Sequence, residues 1–349
     1  MYCYRLFGNA NCYALLYTNK HPGRASSARP CFFSKDTVKQ SNQFKALVFL
    51  HIAVFLWGFT AILGKLISYD SMTLVWHRMS ITAIAYFLLP VVWRNLKSIS
   101  KKDFLTFFGI GIIVCAHWLT FYGSIKFGNS VSITLACLGS ASFFAAVIEP
   151  LVLKSNFIRK DIFIGLIVIV GVLFISFSLP QNQNQNISYP WAIGTGLMSA
   201  ALAALFTTLN KKYINNLHPI AISAIEMLAG ALLLSLVVPF ISTTVIWFPN
   251  IDLQSFDPSN LQNGALDLVW VLILSIFCTN LTFYLGTYSL KYLSAFTANL
   301  TVNLEPIYGI ILGILIFHEN NELNAKFYIG TIIIITAIFI NPILSLRKK

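Results

Sequence analysis

Four charged residues sit inside stretches otherwise apolar enough to span a bilayer: Arg78, Glu149, Glu226 and Glu305. A charge at the centre of a membrane helix costs roughly 2.5–3.5 kcal/mol on insertion scales. A residue kept there has a partner, a substrate or a proton to hold. Glu305 shares a helical face with Thr301 and Tyr308, while Asn299, Asn303 and Pro306 lie on another. A helix polar on two sides cannot turn either one to lipid. Pro306 removes a backbone donor and frees the Val302 carbonyl, so the spacing predicts a helix kinked or opened at mid-membrane. A carboxyl group there can hold a substrate or a proton, or pair with a basic neighbour to brace the bundle.

Arg78 falls about 6 Å outward of its helix centre, at 1.5 Å per residue. It can reach the depth of Glu305 or the carboxylate of an anionic substrate. Glu226 occupies the matching place in the second half, so the two read as pseudo-symmetric opposites and a structural network is a competing role for both. Glu149 lies nearer a membrane face, within reach of headgroup water. Trp57, Trp118, Tyr122, Asn280 and Tyr284 are candidate cavity-lining residues, although aromatics are also ordinary bundle fillers. Gly309 and Gly313 form a close-packing pair. His77 and His117 could titrate, but no pair of histidines has metal-ligand spacing, and the six cysteines form no C-x-x-C pair. No Walker loop, dinucleotide glycine triplet, nucleophile elbow or metal-binding helix motif occurs. The chain is therefore read as a non-enzyme without cofactor or metal.

The elements that position these residues follow from composition. The 349 residues are 57% hydrophobic and 10% charged; soluble domains carry about 25% charged residues. Such a chain lacks polar surface for water and needs lipid as its solvent. Lipid offers no partner to unpaired backbone groups, so the expected fold is an all-α membrane protein. Ten spans of roughly 20 apolar residues are expected at 46–66, 72–93, 104–126, 130–153, 161–179, 190–210, 219–240, 267–289, 293–317 and 325–346. Residues 1–45 read as a basic, polar, disordered tail, and 180–189 as a polar external linker.

The net charge of +12 has a topological meaning. With the N-terminus in the cytoplasm, twenty of the 24 Lys and Arg fall on the cytoplasmic side. Only Lys65, Lys126 and Lys326 fall on the other. Positive residues stay on the cytoplasmic side. Both termini are therefore expected there, in a plasma or inner membrane, and nucleic acid is not an expected partner. The expected partners are the lipid bilayer, a small-molecule substrate and protons; monomer or homodimer is left open.

Leu-Thr-Phe-Tyr occurs twice, at 119–122 and 281–284. A shift of 165 residues brings Ser124, Lys126, Leu135, Gly165, Ile169 and Phe174 onto Ser289, Lys291, Leu300, Gly330, Ile334 and Phe339. Five expected spans precede the "PQNQNQN" loop and five follow. An odd-numbered unit ends on the side opposite its start, so the second half is expected upside down relative to the first. Inverted repeats of this kind place substrate near mid-membrane, at the repeat interface.

At this point the chain resembles the drug/metabolite transporter superfamily, specifically its EamA-type members. The resemblance is carried by "FLWGFTAILGKL" (55–66), "VWHRMSITAIAYFLL" (75–89), "LTFYGSIKFGNSVSITLACLGSASFFAAVIEPLVL" (119–153) and the long second-half stretch 281–340. It covers about 46–346, as one five-helix repeat over 46–179 and another over 190–346. The resemblance implies a ten-helix bundle of two inverted halves, cytoplasmic termini, and secondary transport or export of small polar metabolites such as amino acids. Helices 4 and 9 of such proteins end on a Gly-Glu-like pair. Here Glu319 occupies that place in the second half, but Lys154 occupies it in the first. Two other classes stay open from residues alone. A membrane-embedded enzyme on a lipid-borne substrate would need paired acids or a His–acid couple near one face. A non-transporting structural or sensory protein would be a rigid bundle without a cavity.

Overall fold

A computed structural model describes residues 35–176, 187–214, 217–241, 257, 264–293, 301–321 and 323–346. Among the described residues every regular element is helical. The helices are α1 (Lys35–Leu66), α2 (Ser71–Phe87), α3 (Pro90–Leu96), α4 (Lys101–Gly128), α5 (Val131–Leu138), α6 (Ala141–Leu153), α7 (Arg159–Ser176), α8 (Tyr189–Tyr213) and α9 (Pro219–Ile241). Then come α10 (Asp267–Ser275), a π-helical turn (Ile276–Leu281), α11 (Thr282–Leu290), α12 (Glu305–Phe317) and α13 (Ala325–Leu346).

Among the described residues, six stretches are long and apolar enough to cross a membrane: Ser41–Leu66, Lys101–Gly128, Val131–Leu153, Tyr189–Tyr213, Pro219–Phe240 and Asp267–Leu290. The pair α2 and α3 passes the same length and apolarity test only when taken together, and it is bent by 84°. The bend has a local cause. Leu89 is extended before Pro90, as a residue preceding proline prefers, and Pro90 then opens the next helix. The expected spans at 161–179, 293–317 and 325–346 correspond to α7, α12 and α13, which are not among the six. Residues 177–179 and 294–300 of those spans, Asn299 included, lie outside the described residues. So does most of the 180–189 linker. Helix α1 begins at Lys35, upstream of the expected start at 46, so the end of the polar tail is helical. Residues 1–34 lie outside the described residues.

Side chains at loop junctions set several helix starts. Asp70 caps α2, accepting from the Met72 and Thr73 amides at 2.8 and 3.1 Å. Ser100 caps α4 through the Asp103 amide, while its hydroxyl donates to the Asp103 carboxylate. Ser130 caps α5. Large apolar side chains face outward along the long helices, among them Phe240 at 89%, Leu88 at 76% and Leu236 at 70% exposed. Water would penalise that surface and lipid does not.

Inside, α4 packs along α8 and α9, α2 lies on α9, α1 crosses α11 and α12, and α7 pairs with α13. Glycines set two of the closest approaches. A Cβ on Gly111 of α4 would sit 2.4 Å from the Glu226 carbonyl oxygen and 2.6 Å from its Cα on α9. Gly58 of α1 meets the backbone and Cβ of α12 at Tyr308 and Gly309. The Gly309/Gly313 pair thus has a packing role: Gly309 against Gly58 and Leu135, Gly313 against Val131, Ser132 and Glu319.

Because backbone cannot move aside as a side-chain tip can, Gly111→Ala must push α4 away from α9. Overpacking of this kind costs about 1–3 kcal/mol. Thermal unfolding of the purified protein in detergent should show a lower midpoint for Gly111→Ala than for Gly109→Ala, whose Cβ would meet nothing within 4 Å.

Candidate functional site

Arg78 stands at the centre of the buried polar residues, 2% exposed on the inner face of α2. Its Nε donates to the Thr279 hydroxyl at 2.8 Å, and an Nη donates to the Tyr122 hydroxyl at 2.6 Å. The guanidinium carbon lies 3.6 Å from the Trp118 ring centroid, stacked over its face. That cation–π contact is strongest when desolvated, as here. No carboxylate lies within salt-bridge distance of Arg78 among the described residues. Glu305 is the acid close enough to act on its charge, without touching it. The cation is therefore held by neutral oxygens and an aromatic face, and two of its five donors are engaged.

Thr279 reaches Arg78 because it sits in the π turn. The wider turn lets the Thr279 hydroxyl also donate to the Leu274 carbonyl, five residues back, at 2.8 Å. Single π turns recur at functional sites because they rotate side chains out of α register. On either side of the turn the helix is tied to α1 and α2. Trp57 donates from its indole nitrogen to the Thr282 hydroxyl at 2.8 Å, and Tyr86 donates to the Asn280 carbonyl at 2.7 Å.

Tertiary contact sorts the candidate residues into groups that their spacing along the chain does not reveal. Arg78, Trp118 and Tyr122 converge directly. Trp57 and Asn280 brace the π turn beside them. Glu305 is the first residue of α12, with Pro306 next to it and Asn303 in the turn before it. The expected opening of that helix takes the form of a break: Thr301–Val302 is helical, 303–304 is a turn, and α12 then restarts. Its N-terminal dipole favours a carboxylate. Glu226 is buried on α9, and among the described residues no salt bridge joins it to Arg78. Tyr284 meets Tyr288 instead in a tilted ring pair, 6.3 Å between centroids. Glu149 pairs with Lys211 at 2.6 Å, both partly exposed, in keeping with a place near water.

Thr279 was not legible beforehand, because a threonine in an apolar helix is usually satisfied by its own turn. The first half also has a break, at Gly139–Ser140 between α5 and α6, with no proline to announce it. The register that aligns Ser124 with Ser289 aligns Ser140 with Glu305, so the two breaks correspond.

One end of the bundle is fastened by a polar clasp. The Glu319 carboxylate accepts from Lys65 at 3.0 Å, from the Val131 and Ser132 amides at 2.9 Å each, and from the Ser130 hydroxyl at 3.2 Å. It thus joins α1, the start of α5 and the end of α12. Glu319 and Lys65 are 2% and 9% exposed. Beside it the Ser68 amide and hydroxyl donate to Asp267, and Lys126 donates to the Ile67 carbonyl. Burial alone would raise the Glu319 pKa; the Lys65 charge and the Ser132 and Val131 donors outweigh it and hold the carboxyl below the usual range. The Glu319 position marked in the sequence is thus a helix cap in trans.

Membrane-crossing helices wrapped around an acid-free buried cation define a multi-pass membrane protein with an internal polar site. The chain belongs to the EamA-like transporter family, whose pattern matches residues 44–177 and again 190–341. Two curated relatives are uncharacterised transporters of Bacillus subtilis (strain 168). YxxF is 26% identical over 218 residues, which span 61% of this chain and 62% of that relative. YoaV is 24% identical over 304 residues, 84% of this chain and 95% of the relative. A solved structure described as "Crystal structure of protein" shares the fold at a TM-score of 0.56 and 12% identity, covering 87% of this chain and 98% of its own. Family and relatives point to a transporter rather than an enzyme.

The clasp has a pH signature. A depressed carboxyl pKa contributes stability that is complete above the unfolded value, about 4.3. That contribution is lost as pH falls through the folded value. Thermal midpoints of the wild type should fall on acidification below about pH 4, and those of Glu319→Gln should fall less. At pH 7 the same substitution should cost roughly 1.5–3 kcal/mol, the range for hydrogen bonds to a charged group.

Proposed function

We propose that this protein is a secondary active transporter that exports small polar metabolites such as amino acids. It works by alternating access between two oppositely oriented five-helix halves of ten spans in all, in a cell membrane with both termini cytoplasmic. The observation that carries the reading is Arg78: a buried guanidinium with no acid in contact among the described residues and donors to spare. A structural arginine at that depth would be expected to have a carboxylate. A substrate carboxylate supplies the missing partner, in a bidentate geometry that guanidinium favours.

Glu305 completes the fit. It lies within electrostatic reach of Arg78 without pairing with it, so a substrate carrying both an anionic and a cationic group can bridge the gap. Arg78 takes the carboxylate and Glu305 the ammonium. The matched breaks before Ala141 and Glu305 support movement of the halves about mid-membrane, since short helical segments swivel where a continuous helix cannot. The clasp around Glu319 supports the same reading, because a tie between helix ends at one end of the bundle can act as a gate on that side. The unequal distribution of Lys and Arg supports the orientation.

Flux in proteoliposomes over a panel of amino acids and other small metabolites, with and without a pH gradient, tests this. Arg78→Ala removes charge-assisted hydrogen bonds of about 1.5–3 kcal/mol, so transport of the preferred substrate should fall roughly 10- to 100-fold. Glu305→Gln should weaken substrates bearing an ammonium group more than those lacking one. Wild-type flux in both variants would remove the site assignment.

A further inference from the structure

A second buried acid lies outside the Arg78 site. Glu226, 1% exposed, is fixed on α9 by the direct backbone contact with Gly111 of α4. Asn210 of α8 lies beside its carboxyl group, and Tyr86 of α2 is near it. Glu226 Oε1, Asn210 Oδ1 and Ser223 Oγ are all buried without a hydrogen-bond partner. The Asn210 side chain reaches the carboxyl group as a donor, and nothing among the described residues donates to Oε1. A proton on Glu226 Oε1 removes the need for a donor there, because a neutral carboxyl group costs far less to bury than a carboxylate.

The surroundings supply no cation to do the same. Tyr86 is the ionisable group of α2 within electrostatic reach of Glu226. Arg78 and His77 on that helix are bonded elsewhere, to Tyr122 and Thr279 and to the Thr73 carbonyl. On α4, Cys115 packs against Gly230 and His117 bonds Ser199. Arg94 of α3 is exposed, and Tyr284 and Tyr288 of α11 form a tilted ring pair. No salt bridge to Glu226 forms among the described residues.

We propose that Glu226 is the proton-binding site that couples transport to a pH gradient, separate from the substrate site at Arg78. This rests on the transporter reading. The proton enters from water on one side, resides on Glu226 Oε1, and leaves to water on the other when the halves exchange packing. The route to the substrate site is structural. Tyr86, beside Glu226, bonds the Asn280 carbonyl in the π turn, and the next residue back, Thr279, holds Arg78. Proton and substrate thus act on one irregular turn from opposite sides.

Two readouts test it on the full chain in liposomes. Dicyclohexylcarbodiimide adds to protonated carboxyl groups in apolar sites. Peptide mass spectrometry should find its adduct on Glu226, declining as pH rises from 6 to 9. Asn210→Ala, which removes a donor to the charged carboxylate, should move that decline to higher pH. In flux assays Glu226→Gln should retain substrate counterflow and lose at least tenfold of the accumulation driven by a pH gradient. No adduct at Glu226 at any pH, an unchanged profile in Asn210→Ala, or wild-type gradient-driven accumulation in Glu226→Gln would each overturn the proposal. Absent counterflow in the wild type would instead remove the transporter reading, while the adduct profile still decides whether Glu226 binds a proton.

Discussion

A guanidinium cannot be left bare in a low-dielectric interior, and this bundle is organised around satisfying one. Transfer of an unpaired charge from water costs far more than any single contact returns. Arg78 is held without a carboxylate, by the Tyr122 and Thr279 hydroxyls and the Trp118 face. Each comes from a different element than α2, so the charge draws α4 and the α10–α11 rod against it. Thr279 is available only because the rod carries a π turn, and that turn is held open by Trp57 from α1 and Tyr86 from α2. The geometry of four helices therefore depends on how one cation is compensated.

Rigid and breakable contacts are segregated. Glycine contacts at Gly58–Gly309 and Gly111–Glu226 bring backbones together with no adjustable side chain between them. Such interfaces move as units. Irregular backbone lies instead at 139–140, at 303–304 and in the π turn. In lipid, non-helical backbone is tolerated only where protein or a cavity satisfies it. The clasp at Glu319 belongs to a third kind of contact. It is strong and charge-assisted, yet made of a few side chains at helix ends that can separate without dismantling the core.

Much of the site was visible as an inventory. Arg78, Glu305, Trp118 and Tyr122 announce themselves as charges or large amphipathic rings in apolar helices, where their presence carries a cost. Pro306 announced the opening of its helix. Other residues gave no such notice. Thr279 belongs to the site only because a π turn rotates it there, and a turn of that kind leaves no composition signal. Gly139–Ser140 breaks its helix without proline. Glu319 stood out as a departure between the halves, but its role as the cap of a helix nearly two hundred residues away is invisible in one dimension. Tyr284 and Glu226 carried the right chemistry and were placed elsewhere.

Run length and charge placement are local properties, so the sequence by itself determined the solvent: a multi-pass helical chain in lipid, with two related halves. The same locality marked which residues are too costly to be incidental. Which of them meet was decided by tertiary structure alone. A helix in lipid can rotate about its axis and slide along it with little change in its own energy. Register between helices is therefore set by contacts such as Gly111 on Glu226 and Arg78 on Trp118, made between residues that the chain holds far apart.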